Sequence, residues 1–82
     1  KGVSRTIQFR IPSKHKSDEI QGMLQRRILE MPWVLTGEDI RTDISRLEDD
    51  LFHVEVSFRS LNIDLAMKTE DNLKAFVTEV FN

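Results

Sequence analysis

Between Leu51 and Arg59 the side chains alternate without a break. Phe52, Val54, Val56 and Phe58 are large and apolar, and His53, Glu55, Ser57 and Arg59 fall between them. Successive side chains of a strand point to opposite faces, so this run predicts a strand with one buried and one wet face. A second alternation runs from Arg5 to Ile11, where Ile7, Phe9 and Ile11 are interleaved with Thr6, Gln8 and Arg10. Pro12 is expected to end it, because proline has no N–H to give to a ladder. A third and weaker alternation spans Asp39 to Arg46, with Ile40, Thr42 and Ile44 against Arg41, Asp43 and Ser45. Glu48, Asp49 and Asp50 then form a polar turn, and so short a connection predicts an antiparallel hairpin with the organising strand at 51–59.

The period changes after Ser13. Ile20, Met23, Leu24, Ile28 and Met31 recur at spacings of three and four, which draws one stripe along a helix. Ser17 stands where an N-cap belongs, Asp18 and Glu19 favour the first turn, and Pro32 forbids continuation by pushing Met31 out of the helical region. Leu29 falls off the stripe. Arg27 falls on it, so its aliphatic stem is expected along the core edge with the guanidinium in water. Trp33, Val34 and Leu35 form an apolar cluster that plugs the end of the core, and a connector through Thr36 and Gly37 follows.

The stretch after Ser60 reads two ways. Leu61, Ile63, Leu65 and Met67 alternate as in a strand, yet Leu65, Ala66, Met67 and Lys68 are good helix formers. On a helical wheel Ile63, Leu65, Ala66, Leu73, Phe76, Val77, Val80 and Phe81 share one broad face, with Glu70 as the main intruder. The preferred reading is one helix from about Asn62 to Phe81. The other is a strand to Met67 and a helix capped at Thr69.

The order is therefore strand, helix, strand, strand, helix. A crossover must separate the first strand from the second, and its usual hand sets the organising strand beside the first. The expected fold is α+β, a ferredoxin-like split β-α-β-β-α sandwich whose three-stranded antiparallel sheet carries two helices on one face. The usual fourth strand is missing, which leaves the other face and one edge open.

Composition narrows the function classes. Eighty-two residues allow one domain, 1–82, that buries only about 60% of its unfolded surface. With no cysteine there is no disulfide, thiol nucleophile or cysteine-based metal site. No apolar run approaches the length of a membrane span and no signal peptide is present, so a cytoplasmic location is expected, with membrane contact only through flanking segments. Because the first residue is Lys1 rather than Met, the chain is expected to be a piece of a longer protein.

The open face should carry Gln8, Arg10, Arg41, Asp43, His53, Glu55, Ser57 and Arg59. Of these, Arg10, Arg41, His53, Glu55, Ser57 and Arg59 are the candidate interaction surface, and a merely solvated face is the plainer alternative. RNA-binding sheets stack bases on exposed aromatics, whereas the aromatics here share the buried phase. With a net charge of −2, nucleic acid is not an expected partner. Lys14, His15, Lys16, Arg26 and Arg27 form a local basic group that suits a solvated loop better than an anion site. Glu48, Asp49 and Asp50 lack calcium-loop spacing, and His15 and His53 have no further ligand at a defensible spacing, so no metal is expected. No nucleophile-base constellation or glycine-rich phosphate loop appears. Neither catalysis nor a cofactor is expected.

Taken together, the strand at Arg5 to Ile11, the helix from Ile20 to Pro32, the strand pair from Asp39 to Arg59 and the helix ending in Lys74 to Phe81 resemble a known module. It is the cytoplasmic C-terminal α/β module of small-conductance mechanosensitive channels. The segment from Asp39 to Val56 is also similar to cytoplasmic domains of cation efflux transporters. Both resemblances imply a non-enzymatic module that assembles or regulates a membrane transport protein, through self-association or other segments of the same protein. The rival class is a small-molecule-sensing regulatory domain of the amino-acid-binding type. Against it stands the lack of a glycine after the first strand, where such sensors let backbone approach a ligand.

Overall fold

The computed structural model describes residues 2–35 and 40–81. Five elements follow in the order β1 (Val3–Pro12), α1 (Ser17–Leu29), β2 (Arg41–Glu48), β3 (Leu51–Ser60) and α2 (Ile63–Phe81). The strands form an open antiparallel sheet in the order β1-β3-β2, and the fold is α+β. The alternating run at 51–59 is the middle strand. Its inward positions Val54, Val56 and Phe58 are buried with Ile7, Phe9 and Ile11 of β1 and Thr42 of β2. The apolar ones among these strand residues share one cluster with Ile20, Leu24 and Ile28 of α1 and with Ala66, Leu73, Val77 and Phe81 of α2. Asp39 and the connector at 36–38 lie outside the described residues.

α1 begins and ends slightly differently from expectation. Lys16, not Ser17, occupies the N-cap of α1, with extended backbone and no side-chain cap. A turn closed by His15 N–H on Pro12 O, at 3.3 Å, leads the chain in, and Ile20 N–H then donates to Lys16 O at 3.0 Å. The first helical turn therefore closes one residue early. At the far end Glu30 N–H reaches back to the carbonyls of Arg26 and Arg27, and Met31 is buried just beyond the helix.

α2 is one long helix. Asn62 caps it, accepting the Leu65 N–H on Oδ1 at 2.9 Å, which is the usual way a first-turn donor is satisfied. Its buried row is Ala66, Thr69, Leu73, Val77 and Phe81. Ile63 and Val80, expected on the apolar face, are 48% and 36% exposed. They lie in the terminal turns, where burial depends on what stands opposite. Phe81 is covered because the His15 ring meets it edge-on at 5.1 Å. Thr69 is tolerated at the centre of the row because its hydroxyl donates to Leu65 O at 2.9 Å and accepts the Trp33 Nε1 hydrogen at 2.7 Å.

Trp33, Val34 and Leu35 do more than plug the core. Val34 bridges to Ser60 in antiparallel fashion, Leu35 N–H donates to Arg59 O, and Leu61 N–H donates to Trp33 O. This short segment thus continues the β2 side of the ladder past the start of β2. Gly2 packs against the same place with φ +148°, and a Cβ there would sit 2.7 Å from Ser60 O. A side chain at position 2 is therefore disfavoured twice, by backbone angle and by space.

Phe58 is 1% exposed, so Phe58→Ala should cost about 3–5 kcal/mol through lost burial and the cavity left behind. Ser57, its neighbour on the opposite face, should cost less than about 0.5 kcal/mol when changed to Ala. Urea denaturation of the two variants checks the strand's phase, and equal losses would contradict it.

Candidate functional site

The face turned away from the helices is built in cross-strand rows. Arg10, His53 and Ser45 form one row, Gln8, Glu55 and Asp43 the next, and Thr6, Ser57 and Arg41 the third. Beyond them Ser4 stands opposite Arg59. All six expected interaction residues, Arg10, Arg41, His53, Glu55, Ser57 and Arg59, therefore lie on one face. Arg10 and Arg41 are exposed, and the four β3 residues are half-buried between neighbouring strands. Gln8 Nε2 donates to Glu55 Oε2 at 3.1 Å, and the Thr6 and Ser57 hydroxyls meet at 3.2 Å. The face is thus a polar lattice with cations at either end and the acidic pair Glu55 and Asp43 between them.

The basic group of the sequence does not gather into one site. His15 is spent on structure: its Nε2 donates to Phe81 O at 3.1 Å, which requires the proton on that nitrogen. This contact satisfies a terminal carbonyl of a helix that has no basic residue in its last turn. Arg27 Nε donates to Asn72 Oδ1 at 3.0 Å and its guanidinium lies 5.0 Å from the centre of the Phe76 ring. Its stem lines a groove of about 150 Å³ between the helices. Lys14, Lys16 and Arg26 are exposed. In the acidic turn, Asp49 O accepts from Ser13 Oγ and Arg46 Nη1, and Asp50 O accepts Ser13 N–H. No group of three or more metal-ligating side chains occurs among the described residues, and no described helix is long and apolar enough to cross a membrane.

The sequence reading missed a groove of about 660 Å³ around the outer edge of β1. Phe9 and Val77 line it from the helix side, Gln8, Arg10 and His53 from the open side, and Leu47, Lys74 and Thr78 complete it. Leu47 reaches this position because the hairpin is bulged: Arg46 pairs with Phe52 and Glu48 with Leu51, which leaves Leu47 unpaired and 46% exposed. A bulge adds one residue to one strand and re-aims a side chain, and nothing in the alternation of 39–46 signals it.

No known family, curated protein or solved structure matches this chain.

A second missed feature joins β1 to α2. Arg5 shares the inward phase of β1, and both its Nε and Nη2 approach Glu70 Oε1, at 2.8 and 2.7 Å. Lys74 Nζ meets Glu70 Oε2 at 2.9 Å. The signal was present as two charged residues of opposite sign, each intruding on an apolar face. Only the packing of α2 along β1 says that they meet.

The hydrogen bonds from Lys74 and Arg5 hold the Glu70 carboxyl below its ordinary value. A carboxylate with a lowered folded pKa stabilises the fold above its unfolded pKa, and that contribution is lost as pH falls through the folded value. Glu70→Gln should therefore cost about 1 kcal/mol at neutral pH. The difference from the wild type should shrink as pH drops below 4.5. Urea titrations of both proteins at neutral and acid pH check this, and a pH-independent gap would contradict it.

Proposed function

We propose that the chain is a non-enzymatic assembly module that accepts a neighbour's strand along the outer edge of β1. One observation carries the reading. Ser13 N–H donates to Asp50 O, so in an unshifted register the odd-numbered residues of β1 turn their N–H and C=O toward β3. The even-numbered ones, Ser4, Thr6, Gln8 and Arg10, turn theirs outward. The missing N–H of Pro12 also falls on the outer side, where it interrupts no ladder bond. The sequence suggests that only one of Gln8 and Arg10 has an outward amide. Their equal parity makes both outward.

The opposite edge is blunted by the β2 bulge and by the exposed run Ser45, Arg46, Leu47, Glu48 and Asp49, which are ordinary protections against strand addition. β1 has ten regular residues and no bulge. The ferredoxin-like split unit is the finer reading of this fold, and the β1-β3-β2 order supports it, because the outer side of β1 is where such a unit carries its remaining strand. On this reading the missing strand comes from a second copy or from another segment of the same protein. A parent protein of the mechanosensitive channel kind rests on the resemblance in element order and apolar positions. Membrane-spanning helices encoded upstream of Lys1 would support that origin.

Sedimentation velocity over a wide concentration range should show reversible self-association. Gln8→Pro should weaken it about tenfold, or ~1.4 kcal/mol, by removing an outward donor. Gln8→Ala, which loses the same side chain and keeps the N–H, should associate like the wild type. A wild type that stays monomeric throughout, or a proline variant that associates unchanged, would count against self-pairing through β1.

A further inference from the structure

We propose that the groove at Arg10 and His53 binds a small organic monocarboxylate with an apolar body. Arg10 and His53 stand directly opposite each other in the β1 and β3 ladder. Since the flanking odd residues of β1 exchange the ladder hydrogen bonds, these two form a non-hydrogen-bonded pair, in which Cα atoms approach to about 4.5 Å and side chains lie closest. Two cation-capable groups so placed oppose folding whenever both are charged. Neither side chain meets a hydrogen-bond or ion-pair partner among the described residues.

No neighbouring carboxylate is paired with Arg10 or His53 among the described residues. Lys74, the other cation on the groove, already meets Glu70. Glu55, one row away, keeps its charge while accepting from the neutral Gln8 amide. None of the described residues lining the groove is acidic, although the chain as a whole carries a net charge of −2. An anion set against Arg10 would gain a guanidinium fork that matches a carboxylate, and would offset the repulsion whenever both groups are charged.

The rest of the groove selects the body of the ligand. Phe9, Val77 and the bulged Leu47 supply apolar surface, and the volume falls within the ~300–1,000 Å³ usual for small-ligand sites. Among the described residues Arg10 is the one permanently charged lining group without a partner, which favours a single carboxylate over a phosphate carrying two charges. The groove shares the outer edge of β1 with the proposed strand addition, so its test is made at protein concentrations where sedimentation shows a monomer.

The experiment is an NMR titration of the 15N-labelled chain at neutral pH with sodium octanoate. Octanol and acetate serve as probes of the body alone and the charge alone. Octanoate should give saturable shifts at Gln8 to Ile11, Leu47, His53 and Lys74 to Thr78, with octanol and acetate at least about tenfold weaker. Arg10→Gln should weaken octanoate about tenfold while the denaturation midpoint stays unchanged. His53→Gln, which keeps a polar side chain that cannot become a cation, should weaken it less. The proposal is overturned by the absence of saturable shifts or by shifts centred on Leu61, Ile63 and Met67. Octanol binding as tightly as octanoate would overturn it too, as would octanoate affinity untouched by Arg10→Gln.

Discussion

β3 is the one strand with neighbours on both sides, and every other element is placed by what it offers them. Its even-numbered residues turn their backbone groups toward β1 and its odd-numbered ones toward β2 and the Trp33 to Leu35 segment. The same even residues carry the buried side chains Val54, Val56 and Phe58. Backbone pairing and side-chain burial are thus locked to one register. A slip of one residue would turn Phe58 and both valines to water and bring Glu55 and Arg59 into the core. That double constraint is why a sheet of only three strands is well specified in so short a chain.

The helices supply the cover, and α2 is held in place as much by contacts at its margins as by its apolar row. Asn62 sets its start, Trp33 reaches Thr69 near its middle, Arg5 and Lys74 clasp Glu70, and His15 holds the carbonyl of Phe81. The partners of α2 in these contacts come from β1, from the loop before α1 and from the segment after it. Apolar packing is nearly indifferent to a small slide or rotation, whereas directional hydrogen bonds are not. The polar contacts therefore fix where along β1 the helix rests, and that position gives the edge groove its Lys74, Val77 and Thr78 lining.

The two edges of the sheet are unlike, and the difference bears on function. The β2 side is bulged, charged and partly occupied by residues 33–35. The β1 side presents a regular run of outward backbone groups beside a groove lined by Phe9, Val77 and Leu47 together with Arg10 and His53. Arg10 belongs to both features: its amide faces the edge and its side chain faces His53. The centre of the open face, by contrast, is engaged in the pairs Gln8 with Glu55 and Thr6 with Ser57.

The sequence by itself determined the elements whose signal is local. The period of two in 5–11 and 51–59, the period near 3.6 in 20–28 and 66–81, and the turn at Asp49 and Asp50 follow from which side chains a half-buried strand or helix must alternate. It also assigned Arg10, Arg41, His53, Glu55, Ser57 and Arg59 to one face, because phase along a strand decides face. Tertiary structure decided whatever depends on two distant segments meeting. Glu70 read as an intruder on an apolar face, and Arg5 became its partner only when α2 lay along β1. His15 read as part of a basic loop and became the cap of a helix sixty-six residues away. Leu47 lies one residue past the strand read at 39–46, and the bulge carried it to the groove. Pattern along a chain carries direction and phase, but the distance between elements is set by packing, and the candidate site is made of such distances.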